Sequence, residues 1–323
     1  MSSDAIQSIM QDKKLWQGDN LKKIVILLTF IVQLYGTSNS DGLKSYQNFC
    51  DSGDSISCAM LGVIYYIGKG VDVDYKKAKI LFEKSCHKDT IDGCFGLGLI
   101  YYNGHGVTRD YKKAKILFKK SCHDRYNDGC FRLGVMYATA KGVERDWKRA
   151  RELFYKSCKS GDGRGCSNLG LIYTKAKGVD RDLKRAKKLF AKGCGAGDAK
   201  GCTNLGLMYA KGKATKQNMD LAKKYFHQAC KIGDAKGCSN LGVIYSDDKS
   251  ISRDIHKAIE FFSKACNIKD AISCSNLGFI YYNGDGVDQN HIKAKEFFKK
   301  ACKYGDKNGC NNYKLLKHTS SNI

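Results

Sequence analysis

The chain has 323 residues, 42% of them hydrophobic and none of them Pro. That apolar content supports a buried core and excludes wholesale disorder, while the absence of Pro excludes Pro-rich linkers and fits a chain of successive helices, whose interiors reject Pro. Lys and Arg number 56 against 32 Asp and Glu, a net charge of +24, and 16 Cys suit an oxidising compartment better than a reducing cytosol.

Residues 1–20 are polar. Lys22 and Lys23 then precede an apolar run, Ile24 to Val32, interrupted only by Thr29, and Gly36, Thr37 and Ser38 follow. A basic start, a short apolar run and small residues form the pattern of a secretory leader. Cleavage is expected after Ser38. A leader does not need the polar stretch, so translation is expected to start near Leu21. The apolar run falls short of the about 20 residues that span a membrane, and no Cys follows it to carry a lipid. Residues 1–38 contain four Lys and three Asp, so their removal leaves +23.

From here the chain is periodic. Cys50, Cys86, Cys122, Cys158, Cys194, Cys230, Cys266 and Cys302 step by 36 residues. Cys58, Cys94, Cys130, Cys166, Cys202, Cys238, Cys274 and Cys310 do the same. A fixed period of this size marks stacked repeats. Counted from Cys58, seven full units fill 58–309, with capping half-units at 39–57 and 310–323 and the extension and leader at 1–38.

Each unit predicts two helices. In the second unit, Cys94, Leu97, Gly98 and Tyr101 fall at i, i+3, i+4 and i+7, one helical face. The Leu, Gly and Tyr recur in all seven units. A mid-helix Gly costs about 1 kcal/mol against Ala, so its recurrence predicts a close approach by a neighbouring helix. A Gly-rich turn follows, Gly104-His105-Gly106, and Asp110 is placed to cap the second helix. The second apolar face is Ala114, Leu117, Phe118, Ser121 and Cys122. Its Ala recurs from Ala78 to Ala294 and its Phe from Phe82 to Phe298, a small and a large residue that fit as hole and bump.

This pattern resembles the Sel-like repeat family, α/α units related to the tetratricopeptide class. With a Cys-x7-Cys pair per unit behind a leader, it is most similar to the Helicobacter cysteine-rich proteins. The resemblance spans about residues 44–316. It implies an all-α, right-handed α/α solenoid of seven 36-residue repeats. Two turns depart from the pattern and are expected to differ in shape: Lys211-Gly212-Lys213-Ala214-Thr215 has one Gly and Ser246-Asp247-Asp248-Lys249-Ser250 has none.

Two Cys pairings fit such units. Bridges across a unit, such as Cys58 to Cys86, strand Cys50 and Cys310. Bridges between x7 partners leave none over: Cys50–Cys58, Cys86–Cys94, Cys122–Cys130, Cys158–Cys166, Cys194–Cys202, Cys230–Cys238, Cys266–Cys274 and Cys302–Cys310. The second scheme is the expected one, each bridge clamping the end of one unit to the start of the next and contributing about 2.6 kcal/mol by loop closure. The spacing does not match a zinc site, and no paired His accompanies it. No metal or cofactor is expected.

Three features could carry function. The third position of the first helix is Asn168, Asn204, Asn240, Asn276 and Asn312 in the later units. These amides lie off the apolar face and are expected on the concave side, where a ladder of them can bond an extended peptide backbone. Positions 7, 9 and 10 vary beside them, as in Tyr102-Asn103, Thr174-Lys175 and Tyr282-Asn283. The second feature is the basic second helix, with Lys112, Lys113, Lys115, Lys119 and Lys120 in one unit and Lys184, Arg185, Lys187 and Lys188 in another. Its ordinary reading is a solvated outer face, its functional one attraction to an acidic cell-envelope or host surface. No nucleic-acid fold is present.

The third feature comes from the resemblance, which implies β-lactam hydrolysis or penicillin binding as a rival activity. Ser-x-x-Lys occurs at Ser85-Cys86-His87-Lys88 and Ser246-Asp247-Asp248-Lys249, and Lys159-Ser160-Gly161 loosely matches a further box. There is no Ser-Asp-Asn, and the matches lie in unrelated units, so they read as chance. The expected protein is a monomeric, secreted or periplasmic scaffold that binds peptide, protein or cell-envelope ligands on its concave face. A weak β-lactamase is the alternative.

Overall fold

The structure, a computed structural model, describes residues 39–87, 90–122, 127–247 and 253–319. The expected leader over 1–38 lies outside them. The described residues form sixteen helices and no strand. They divide into two compact units at Asp180 and Arg181. The first holds α1 (Asn39–Asp51), α2 (Ser55–Ile67), α3 (Tyr75–His87), α4 (Ile91–Asn103), α5 (Tyr111–Ser121), α6 (Asn127–Thr139), α7 (Trp147–Lys159) and α8 (Gly163–Lys175). The second holds α9 (Leu183–Gly195), α10 (Ala199–Ala210), α11 (Met219–Lys231), α12 (Ala235–Ser246), α13 (Ile255–Asn267), α14 (Ala271–Asn283), α15 (His291–Lys303) and α16 (Lys307–Thr319). Even-numbered helices are the first of each repeat and odd-numbered ones the second, α1 and α16 standing at the ends.

Acidic and amide side chains start these helices. Asp110 accepts from the Lys113 N–H and caps α5 as predicted. Asp146, Asp182, Asn218, Asp254 and Asn290 do the same for later second helices. Asp54, Asp162, Asp198 and Asp270 cap first helices. Each cap satisfies a backbone N–H that the first turn leaves without a partner.

The recurrent Gly and Phe meet inside each repeat. All seven Phe, Phe82 to Phe298, and all seven Ala, Ala78 to Ala294, are buried. A methyl group on Gly62, Gly98, Gly134, Gly206, Gly242 or Gly278 would lie only 2.5–2.9 Å from the ring of the Phe on the following helix. The missing Cβ is therefore the hole into which the ring fits.

All eight x7 bridges are present, and the described residues hold no free thiol. Each joins the end of one helix pair to the start of the next.

The turns inside six of the repeats use two left-handed residues, such as Gly104 at φ 74° and Gly106 at φ 67°. Ala140 and Ala176 take the first of these positions at φ 56° and 51°, and Ala214 takes the second at φ 58°. The turn at 211–215 does differ in shape: α10 ends one residue early, at Ala210, and the Gly212 N–H bonds to the Tyr209 carbonyl where Gly104 bonds to that of Ile100. Most of the turn at 246–250 lies outside the described residues. At the junctions, Gly53, Gly161, Gly197, Gly233 and Gly305 hold φ between 82° and 98°, and Lys269 holds the equivalent place at φ 69°.

Two substitutions separate these constraints in urea unfolding. Lys269→Gly relieves a strained side chain and is expected to raise stability by about 0.5–1 kcal/mol. Gly98→Ala pushes a methyl into the Phe118 ring and is expected to lower it by about 1–3 kcal/mol.

Candidate functional site

First helices of neighbouring repeats touch directly, as α2 with α4 in the first unit and α10 with α12 and α12 with α14 in the second, whereas second helices make no comparable contact. Closer packing on one side sets the inside of a bend, so within each unit the first helices line the inner face.

The five predicted Asn stand there, half-buried. Asn204, Asn240, Asn276 and Asn312 belong to the second unit and Asn168 to the first. The Asn168 side-chain amide donates to the Arg164 carbonyl and that of Asn204 to the Lys200 carbonyl, both at 2.8 Å. Each such bond engages one of the four hydrogen-bonding positions of the amide. The expected variable position 7 is not part of this face. Ile100, Met136, Ile172, Met208 and Ile280 occupy it and are buried in the core, because position 7 lies beside the 4–8 stripe that packs on the second helix. The neighbour that does face outward is position 6, half-buried Leu207 followed by Val243 and Phe279, which are 51% and 41% exposed. Sequence reasoning passed over it because every unit has an apolar residue there, which reads as core.

The first unit keeps half-buried Val63, Leu99, Val135 and Leu171 at position 6 and adds a charged run at the starts of its first helices. Arg164 donates to both Asp162 and Asp128, and its guanidinium lies 4.5 Å from the centre of the Phe131 ring. Asp162 also accepts from the Ser157 hydroxyl at 2.9 Å. One repeat before Asp128, Asp92 has a buried oxygen with no hydrogen-bond partner. Its carboxyl is pushed up to about 7, by burial first and by the charge of Asp128 second.

The enzyme-like motifs do not assemble. Ser85 is fully buried, and its hydroxyl donates to the Ser55 carbonyl at 2.7 Å. The Ser160 hydroxyl donates to the Lys156 carbonyl and that of Ser246 to the Val243 carbonyl. Lys88 and Lys249 lie outside the described residues. Among the described residues no three His, Cys, Asp or Glu gather as metal ligands would. The basic side chains take the expected outer face: Lys112, Lys113, Lys119, Lys120, Lys184, Arg185 and Lys188 are exposed, and Lys115 and Lys187 half-buried.

Paired helices, a 36-residue step and a disulfide at every junction define an α/α repeat scaffold. The Sel1 repeat profile matches residues 55–89, 91–124, 127–162, 163–198, 199–234, 235–270 and 271–306, and the chain belongs to the Sel1-repeat family. Proteins of this family are typically scaffolds for protein interactions. A protective antigen of uropathogenic Escherichia coli with an SLR fold is 26% identical at a TM-score of 0.69, over 85% of this chain and 59% of that one. This chain thus spans 59% of that antigen's length. A Sel1 repeat protein from Oxalobacter formigenes is 24% identical at a TM-score of 0.64, over 70% of this chain and 99% of that one. Cysteine-rich protein B of Helicobacter pylori is 31% identical over 43% of this chain and 99% of its own, at a TM-score of 0.35. No curated protein sequence matches. Eight disulfides point to an oxidising, extracytoplasmic environment, and no helix of the described residues is long and apolar enough to cross a membrane.

The buried acid makes stability depend on pH. A carboxyl whose value is raised by folding keeps a proton that the unfolded chain releases at 3.8, so stability falls as pH rises from 3.8 to about 7. Asp92→Asn cannot ionise. It is expected to match the parent near pH 4 and to exceed it above pH 7 by up to about 4 kcal/mol, read by denaturant unfolding at the two pH values.

Proposed function

We propose that the protein is an exported scaffold, secreted or periplasmic, that binds a peptide or protein segment along the inner face of its second unit, with a cell-envelope or host component as its source. One observation carries this reading. The half-buried amides of Asn204, Asn240 and Asn276 and the outward apolar side chains of Leu207, Val243 and Phe279 run side by side with the same 36-residue step. Amides at a regular step suit backbone groups, which need a donor and an acceptor each. An apolar row beside them suits alternate side chains of the same segment. The half-unit at 39–57 caps the start of the first unit and that at 310–323 the end of the second in this reading.

Selection of random peptides on the oxidised protein tests it. Bound sequences are expected to share apolar residues at a regular spacing. The double variant Asn240→Ala/Asn276→Ala is expected to weaken them about tenfold, from about 1 kcal/mol or less for each lost bond. Peptides that bind with equal affinity to the double variant would place the ligand elsewhere.

A further inference from the structure

The edge of the first unit that carries the turns within repeats brings cations and aromatic rings together. Its basic side chains are held by aromatic rings. The Lys77 ammonium lies 4.2 Å from the centre of the Tyr65 ring, and Lys113 lies 5.2 Å from Tyr101. Turn residues reach back onto the preceding repeat in the same way. The His105 ring stacks on Tyr75 at 4.5 Å, Lys141 lies 5.3 Å from Tyr102, and Lys177 lies 5.8 Å from Trp147. Arg109 and Arg145 each stand 5.9 Å from the ring two residues on, Tyr111 and Trp147.

This arrangement matters for charge. A carboxylate that fixes a cation also neutralises it. A ring fixes the cation through its quadrupole and leaves the full positive charge in place. Among the described residues no carboxylate forms an ion pair with Lys77, Arg109, Lys141, Arg145 or Lys177. The second unit keeps ring-held cations, Lys257 on Tyr245 and Lys293 on Tyr281, and Lys213 at one turn, but in its last turn Asp285 stands where His105, Lys141 and Lys177 stand, and it pairs with Arg253. Between the second and third repeats the edge opens into a depression of about 570 Å³, lined by Tyr101, Arg109, Tyr111, Lys112, Lys113 and Asp110, whose carboxylate caps α5 and lies 4.0 Å from the Lys113 ammonium. The rings around it are half-buried and the cations exposed.

We propose that this edge binds an anionic polysaccharide, with acid groups on the ring-held cations and sugar faces against the Tyr and Trp rings. Pre-placed cations lower the ordering cost of binding, and guanidinium groups match sulfate and phosphate geometry. A disulfide-stapled chain in an oxidising environment meets polyanions chiefly as glycans. A depression with recessed rings suits a chain of sugars better than a flat lipid surface. The proposal concerns a different face and a different unit from the peptide reading and does not depend on it.

The test uses the full, oxidised chain with Trp16→Phe, which leaves Trp147 as the only Trp. A heparin octasaccharide is titrated at about 150 mM NaCl, where diffuse surface attraction is screened beyond about 8 Å, and Trp147 fluorescence is followed. Saturable binding with a change at Trp147 is expected. The triple variant Arg109→Gln/Lys141→Gln/Arg145→Gln is expected to weaken it at least about tenfold, as loss of several phosphate-like contacts does. A charge-matched control, Lys188→Gln/Lys224→Gln/Lys299→Gln on second helices, is expected to weaken it less than about threefold. Melting curves of both variants check that each is folded. Equal losses in the two triples would reduce the effect to net charge and overturn the proposal. So would an absence of binding, or an oligothymidylate of equal charge binding as tightly and losing as much in the edge variant, which would make nucleic acid the ligand class.

Discussion

The contact between one glycine and one phenylalanine sets the geometry of this protein. In each repeat the first helix gives up a side chain at a single position and the second helix fills the space with a ring. The glycine costs about 1 kcal/mol of helix propensity, and the ring recovers more through burial. The distance and rotation between the two helices follow from that fit and, helped by Asp or Asn caps at most helix starts, repeat at a step of 36 residues. The disulfides act on the other joint, between one pair and the next. A solenoid contacts only its neighbours, so two well-defined joints per repeat are enough to define each stack.

On this regular frame the two units have been given different surfaces. The inner face of the second unit presents amides and apolar side chains in parallel rows. That of the first keeps apolar side chains at the same position and adds acids, an arginine and an aromatic ring at its helix starts, with Asp162 buried. The turn edge differs at one place, where an Asp–Arg pair in the last turn of the second unit replaces the unneutralised cations of the first. A repeat protein can bind chemically unlike partners at once when its framework residues stay constant and its surface positions diverge. Here the constant residues are the Gly, Ala, Phe, Tyr and Cys, and the divergent ones are surface positions outside the Gly–Phe fit.

That division also explains what could be read in advance. The helix pairs, the Phe fit, the Asp caps and the Cys pairing were legible because each recurs at a fixed step, and periodicity reports framework. Position 7 was misplaced because a varied apolar position looks like a specificity position until burial is known. Leu207, Val243 and Phe279 were missed for the opposite reason, since a constant apolar position looks like core. The run through Asp92, Asp128 and Arg164 and the cations on rings of the preceding repeat were not legible at all. Their partners lie about one period away, and only stacking brings residues 36 apart into contact. Left-handed Ala140 and Ala176 escaped notice because their turns keep the length of the Gly-rich ones.

The short span of each bridge bears on how the chain acquires its oxidised state. Sixteen thiols admit an enormous number of pairings, yet every native partner lies eight residues away and the next thiol in the other direction 28. In a chain that is still unfolded, loop-closure statistics favour the shorter loop by about sixfold. A chain that emerges from its N-terminal end therefore exposes each correct pair before a competing thiol arrives. Oxidation can proceed one junction at a time, with little need for reshuffling, however many repeats are added.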